Sequence, residues 1–254
     1  MSWAAQRRFI IMLIIGSIIV ALVATVFFTT FSQAPSCTDG IQNEGETGID
    51  CGGPCPYLCT ADEQPPTVLF TTALTNAAGR TDVVASIENK NANAAAKDVP
   101  YNVTLYDAKQ LLLQTVSGTL DLPPGATETV FIPGVISGKQ AVANAFLTIA
   151  PSAPRWFAMA ADTRILPSVL NTVQSGSPNA PSVDATLGNG SSTTLTNVQV
   201  IVLVRDAQGS VIAASRTVVP SIPAQGQATA IFTWNNAFPN APASIEVVPV
   251  IPLP

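Results

Sequence analysis

From Phe9 to Phe28 the chain runs 20 residues without a charge, nearly all of them apolar. A helix of that length rises about 30 Å, the thickness of a bilayer's hydrocarbon core. Residues 9–31 are therefore predicted to be a transmembrane signal anchor in contact with the lipid bilayer, with Phe9 and Phe28 near its ends. Arg7 and Arg8 close the short segment 1–8, and the next charged residue is Asp39. The positive-inside rule then places the N-terminus in the cytoplasm and the C-terminus outside it. A cleaved signal peptide would have a shorter apolar region ending in small residues. Ser32-Gln33-Ala34 imitates such a site, but Pro35 follows it.

Beyond the anchor the hydrophobic period changes from helical to alternating. Val99, Tyr101, Val103 and Leu105 alternate with other residues and end at Asp107-Ala108, and Val198, Val200, Val202 and Val204 do the same before Asp206-Ala207. A period of two reads as strands with one buried face. The offset of 99 recurs upstream as 100, where Val83–Asn89 parallels Val183–Asn189. Downstream, Thr129-Val130-Phe131 parallels Ala230-Ile231-Phe232 at an offset of 101. Asp107–Gln110 and Asp206–Gly209 have the composition of hairpin turns, with Asp at the first position. Pro123-Pro124-Gly125 and Pro223–Gly226 mark further turns. We therefore expect an all-β fold of two tandem antiparallel β-sandwiches, at 65–150 and 166–254, joined by a linker at 151–165. Pro151 and Pro154 stiffen the linker, and Trp156 and Phe157 are expected to plug a core or inter-domain position. Laid end to end, sandwiches about 35–40 Å long would carry the second one about 80 Å or more from the membrane.

Between the anchor and the first sandwich, residues 32–64 form a cysteine-rich acidic stalk. Cys37, Cys51, Cys55 and Cys59 lie in a segment with too few apolar residues for a core, so staples must order it. Outside the cytoplasm, two disulfides are expected. Four cysteines allow three pairings, and the spacing does not choose among them. A zinc ion held by all four cysteines is the metal alternative. Asp39, Asn43, Glu44, Glu46 and Asp50 lie among Gly40, Gly45 and Gly48. Hard oxygens on a flexible backbone make these five a candidate Ca²⁺ ligand set. The plain alternative is that the acids keep the stalk solvated.

Residues 37–55 resemble the D-G-x-x-N-x-x-E-x-x-x-D-C-G-G-x-C segment of assorted exported proteins, which implies a small extracellular disulfide module and no activity. Asn102-Val103-Thr104-Leu105-Tyr106-Asp107, followed by Leu111-Leu112 and Pro123-Pro124-Gly125, resembles the FxLYD-type immunoglobulin-like domains of bacterial and archaeal envelope proteins. Val103 stands where that family has Phe. Val202-Leu203-Val204-Arg205-Asp206 keeps part of the motif without its Tyr. The resemblance implies immunoglobulin-like sandwiches used for spacing or interaction.

Charge and composition narrow the function. Residues 37–63 hold six acids and no base, while 64–254 hold ten acids against nine bases, so the net charge of −5 sits in the stalk. No basic stripe exists to bind nucleic acid. The chain has no histidine, which removes Ser-His-Asp and Cys-His catalysis and His-ligated zinc. No nucleophile–base pair is visible, and we expect no enzyme. Asn102-Val-Thr104 and Asn189-Gly-Ser191 match the glycosylation acceptor pattern. The expectation is a non-catalytic single-pass envelope protein presenting its sandwiches to a protein or surface-polymer partner. A calcium-dependent adhesion or sensing module, and an accessory subunit of an export or pilus machine, are the alternatives.

Overall fold

The computed structural model describes residues 3–31, 36–43, 45–76, 79–136, 140–151 and 154–254, with backbone alone for residues 4, 5 and 28–31. The chain divides into two compact units, Met1–Pro56 and Tyr57–Pro254.

The first unit opens with helix α1, Trp3–Phe31. Its stretch Gln6–Phe27, 22 residues with a mean hydropathy of 3.0, is long and apolar enough to cross a membrane. Phe9 is 64% exposed, and the described side chains of this stretch are exposed all round the helix. Ser17 Oγ and Thr25 Oγ1 donate back to the carbonyls of Ile14 (2.9 Å) and Ala21 (2.7 Å). Their hydroxyls are thus satisfied inside the helix, as a hydrocarbon environment requires. Phe28's side chain lies outside the described residues.

The second unit is all β. Its first half contains β1 (Thr67–Thr75), β2 (Thr81–Glu88), β3 (Ala94–Tyr106), β4 (Leu112–Leu122), β5 (Thr127–Ile136), β6 (Asn144–Ile149) and the two-residue β7 (Phe157–Ala158). These make two antiparallel sheets, β1-β2-β5 and β4-β3-β6, with β7 added beside the start of β3. Val83, Ala85 and Ile87 of β2 meet Val103 and Leu105 of β3 and Leu147 of β6 in the core between the sheets. The second half contains β8 (Ser168–Ser177), β9 (Ala180–Gly188), β10 (Leu195–Arg205), β11 (Val211–Ile222), β12 (Gln227–Thr233) and β13 (Ser244–Val250). Here the sheets are β8-β9-β12 and β11-β10-β13. Val183, Ala185, Leu187, Val198, Val200, Val202 and Phe232 fill the core. The expected all-β sandwich fold is present, and the strand order of the first half recurs in the second.

The hairpin turns form where the Asp residues predicted them. Asp107 O accepts from Gln110 N (3.1 Å), and Asp206 O accepts from Gly209 N (3.0 Å). Each Asp carboxylate also takes two backbone N–H groups of its own turn.

In the segment 151–165, Trp156 takes a core position, as expected of it. Trp156 is 2% exposed within the first core, its carbonyl accepts from Leu58 N (3.1 Å), and Phe157 pairs with Ala95. Two features differ from the expected picture, and the first is that the sandwiches are not laid end to end. Val84, Phe131, Phe70 and Leu74, on the outer face of β1-β2-β5, pack against Ile201, Leu203, Val211, Ala214, Val248 and Val250, on the outer face of β11-β10-β13. Finally, Phe131 and Phe232 are not equivalent. Val84 pairs with Phe131, but Asp184 pairs with Ile231. The equivalence runs at an offset of 100 rather than 101, and one residue of slip turns a side chain to the other face of its sheet. Phe131 therefore faces the joint between sandwiches, while Phe232 fills the second core.

Candidate functional site

The cysteine segment carries the densest chemistry in the sequence. All four cysteines are disulfide-bonded, with Cys37 joined to Cys55. No thiolate is left to ligate zinc, which removes that alternative. Cys37, Glu46 and Cys55 place ligand-type atoms within 4.8 Å of one another, but the two sulfurs belong to one disulfide and Glu46 supplies the only charge. Within this segment Gly40 and Gly45 adopt the left-handed conformation (φ 74° and 88°), and so does Asp50 (φ 56°). Those turns fold the loop back on itself.

The acids proposed as calcium ligands bind the loop's own polar groups. Both oxygens of Asp50 accept from Gly40 N at 3.0 Å. Asp39 accepts from Asn43 Nδ2 (2.9 Å), Ile41 N (2.9 Å) and Ser36 N (3.3 Å). The Asn43 amide and the Ile41 N–H hold its carboxyl below the ordinary aspartate range. Glu46 is 7% exposed. Its Oε2 accepts from Asp50 N (3.2 Å) and Asn43 N (3.4 Å). Its Oε1 lies 2.9 Å from Cys55 Sγ, a contact rather than a hydrogen bond because a disulfide sulfur has no proton. Asn43 Oδ1 is buried without a hydrogen-bond partner. Glu44 lies outside the described residues. Asp39, Asn43, Glu46 and Asp50 are thus brought together, the three carboxylates as acceptors and the Asn43 amide as a donor, in hydrogen bonds that order a coreless loop.

The buried asparagines Asn89 (1% exposed) and Asn189 (3%) escaped the sequence reading as structural elements. Asn89 Nδ2 donates to the carbonyls of Ala94, Leu122 and Pro123, and its Oδ1 accepts from Asn91. Asn189 Nδ2 donates to Thr193, Ile222 and Pro223, and its Oδ1 accepts from Ser191. The amide that a glycan would need at Asn189 is therefore closed inside the fold, whereas Asn102 of the other triplet is exposed. The signal available was an asparagine directly after the matched strand in both halves.

No family model and no curated protein matches the chain. Among solved structures it is similar to a beta-glucuronidase from glycoside hydrolase family 2, at 11% identity and a TM-score of 0.22. The match covers 82% of this chain and 25% of that one. The chain thus spans about a quarter of that enzyme's length, and a likeness at this score carries no argument about fold or activity.

Proposed function

We propose that this chain is a non-catalytic, single-pass envelope protein. Its N-terminus is cytoplasmic, and its two immunoglobulin-like sandwiches form an extracytoplasmic spacer or interaction body. The observation that carries this reading is the apolar joint, where Ile201 and Leu203 are buried against Val84 and Phe131. It fuses two sandwiches into one stiff body on a chain that also has a membrane-length apolar helix and a disulfide-bonded segment. Disulfides persist in oxidising compartments, which supports a location outside the cytoplasm. The recurrent strand order supports a duplicated module, and the FxLYD-like residues fit the same picture. Protease treatment of intact cells and of inverted membrane vesicles tests it. The reading expects residues 57–254 to be attacked from outside only, and digestion only in inverted vesicles refutes it.

A calcium-dependent form of this reading has one observation in its favour, the unpartnered Asn43 Oδ1. An amide oxygen is a ligand type that Ca²⁺ accepts. Calorimetric titration with Ca²⁺ alone tests it, with heat of binding expected in the wild type and lost in Asn43→Ala.

A further inference from the structure

Where the sandwiches meet, two carboxylates share one buried guanidinium. Glu128 lies on β5 and Arg164 in the segment between the sandwiches, with side chains 9% and 5% exposed. Arg164 is already engaged. Its Nε and Nη2 bind Asp162 at 2.8–3.1 Å, and its Nη1 donates to the carbonyl of Ile251 at 2.6 Å. Glu128 has only a 3.6 Å approach to that same Nη1. Asp121, at the end of β4, adds a further negative charge facing Glu128. Asp121 itself accepts from Asp98 N (2.9 Å) and Leu253 N (2.7 Å). Among the described residues Lys97 makes no ion pair there and sends its Nζ to the carbonyl of Pro254 (3.1 Å). Residues 251–254, which leave the second sandwich, are thus strapped to the first by Arg164, Asp121 and Lys97. Leu253 is 3% exposed beneath them.

We propose that this cluster is an acid-tightened latch, holding the 251–254 strap and the joint when Glu128 carries its proton and loosening both when Glu128 ionises. The charge count is the first argument. With Glu128 ionised, the Glu128–Arg164–Asp162 group carries a net negative charge in a place of low polarity. With Glu128 neutral, it balances. Competition for one donor is the second. An ionised Glu128 draws Arg164 Nη1 away from the Ile251 carbonyl that fixes the strap. Consistent with both, burial pushes Glu128 up to about 7. Arg164 opposes that rise, and Asp121 and Asp162 add to it. A carboxyl whose pKa is higher in the folded than in the unfolded chain gives stability that is full below the unfolded value. That stability falls as pH rises towards the folded value. The window therefore runs from about 4.5 to about 7.

The test follows the melting temperature of the full chain in detergent micelles from pH 5 to pH 8.5, for the wild type and Glu128→Gln. At pH 5, near the start of that window, the two should melt within a few degrees of each other. At pH 8.5 the variant should melt higher by about 5 °C or more. Hydrogen exchange of the Leu253 amide in the wild type, corrected for intrinsic rate, is the second measurement and needs no variant. Its protection should drop as pH rises from about 4.5 towards about 7 and level off above. Parallel melting curves, a wild type that is the more stable at high pH, or unchanged Leu253 protection would each overturn the latch.

Discussion

Asn89 and Asn189 perform the same task 100 residues apart. Each sends its amide into the carbonyls at the end of a β4-type strand, Leu122 and Pro123 in one case and Ile222 and Pro223 in the other. Each sandwich thereby ties its β2–β3 connection to its β4–β5 turn through one buried side chain.

Replacing either asparagine by alanine leaves three carbonyls without that donor in a buried place. An unmet buried polar group costs about 1–3 kcal/mol. We expect Asn89→Ala and Asn189→Ala each to lose about 2–4 kcal/mol, measured by urea unfolding. Aspartate should not rescue, because it cannot donate. A loss below about 0.5 kcal/mol would show that the corners are held by their turns alone.

Gly118 faces the ring of Tyr101 across the β3–β4 pair. A Cβ built at Gly118 would overlap the Tyr101 hydroxyl and Cζ, and Tyr101 is 7% exposed. Gly118→Ala should therefore destabilise by about 1–3 kcal/mol through overpacking. In the double variant with Tyr101→Leu, the alanine should become nearly harmless. Additive losses in that cycle would show that the ring is not what excludes the methyl group.

Much of the fold was legible because the core strands obey a period of two. Val198, Val200, Val202 and Val204 alternate, and the structure buries all four. The joint is written in the same strand. Ile201 and Leu203 fill the alternate positions of that same strand, and an apolar run on both faces marks a strand covered on both sides. The edge strands β1 and β8 carried no comparable pattern. β8 is exposed along nearly its whole length, including Val169, Leu170 and Val173, so its place depends on its ladder with β9. The cysteine loop was recognised by its residues. The side on which its acids act was not, because backbone N–H groups are invisible in a list of side chains.

Glu46 should matter to the disulfide beside it. Glu46→Ala removes the acceptor for Asp50 N and Asn43 N and opens space next to Cys55 Sγ. We expect the loop to be reduced by a small thiol about tenfold faster, the equivalent of about 1.4 kcal/mol, within the range for an unmet buried group. Thiol alkylation followed by mass spectrometry measures this. Under the purely structural role, the change is the same with and without about 1 mM Ca²⁺. A protective effect of Ca²⁺ on the wild type that vanishes in the variant would instead support an ion in the loop.

The joint offers the sharpest substitution, because the two halves disagree at one position. Val84, on β2, is fully buried against the second sandwich. Its counterpart Asp184 pairs with Ile231 on the outer face of β8-β9-β12, and no part of the described chain packs there as the second sandwich packs on Val84. Val84→Asp would bury an unpaired carboxylate in the joint, a change worth about 3–5 kcal/mol. Neither core should feel it, since Val84 points away from Val83 and Ala85. The expected result is a folded chain with a larger radius of gyration by small-angle scattering and two calorimetric transitions in place of one. Asp184→Val should leave both measurements unchanged at low protein concentration. If Val84→Asp unfolds the first sandwich outright, the joint is part of that sandwich's core rather than a contact between two bodies, and the stiff-body reading would need rebuilding on that basis.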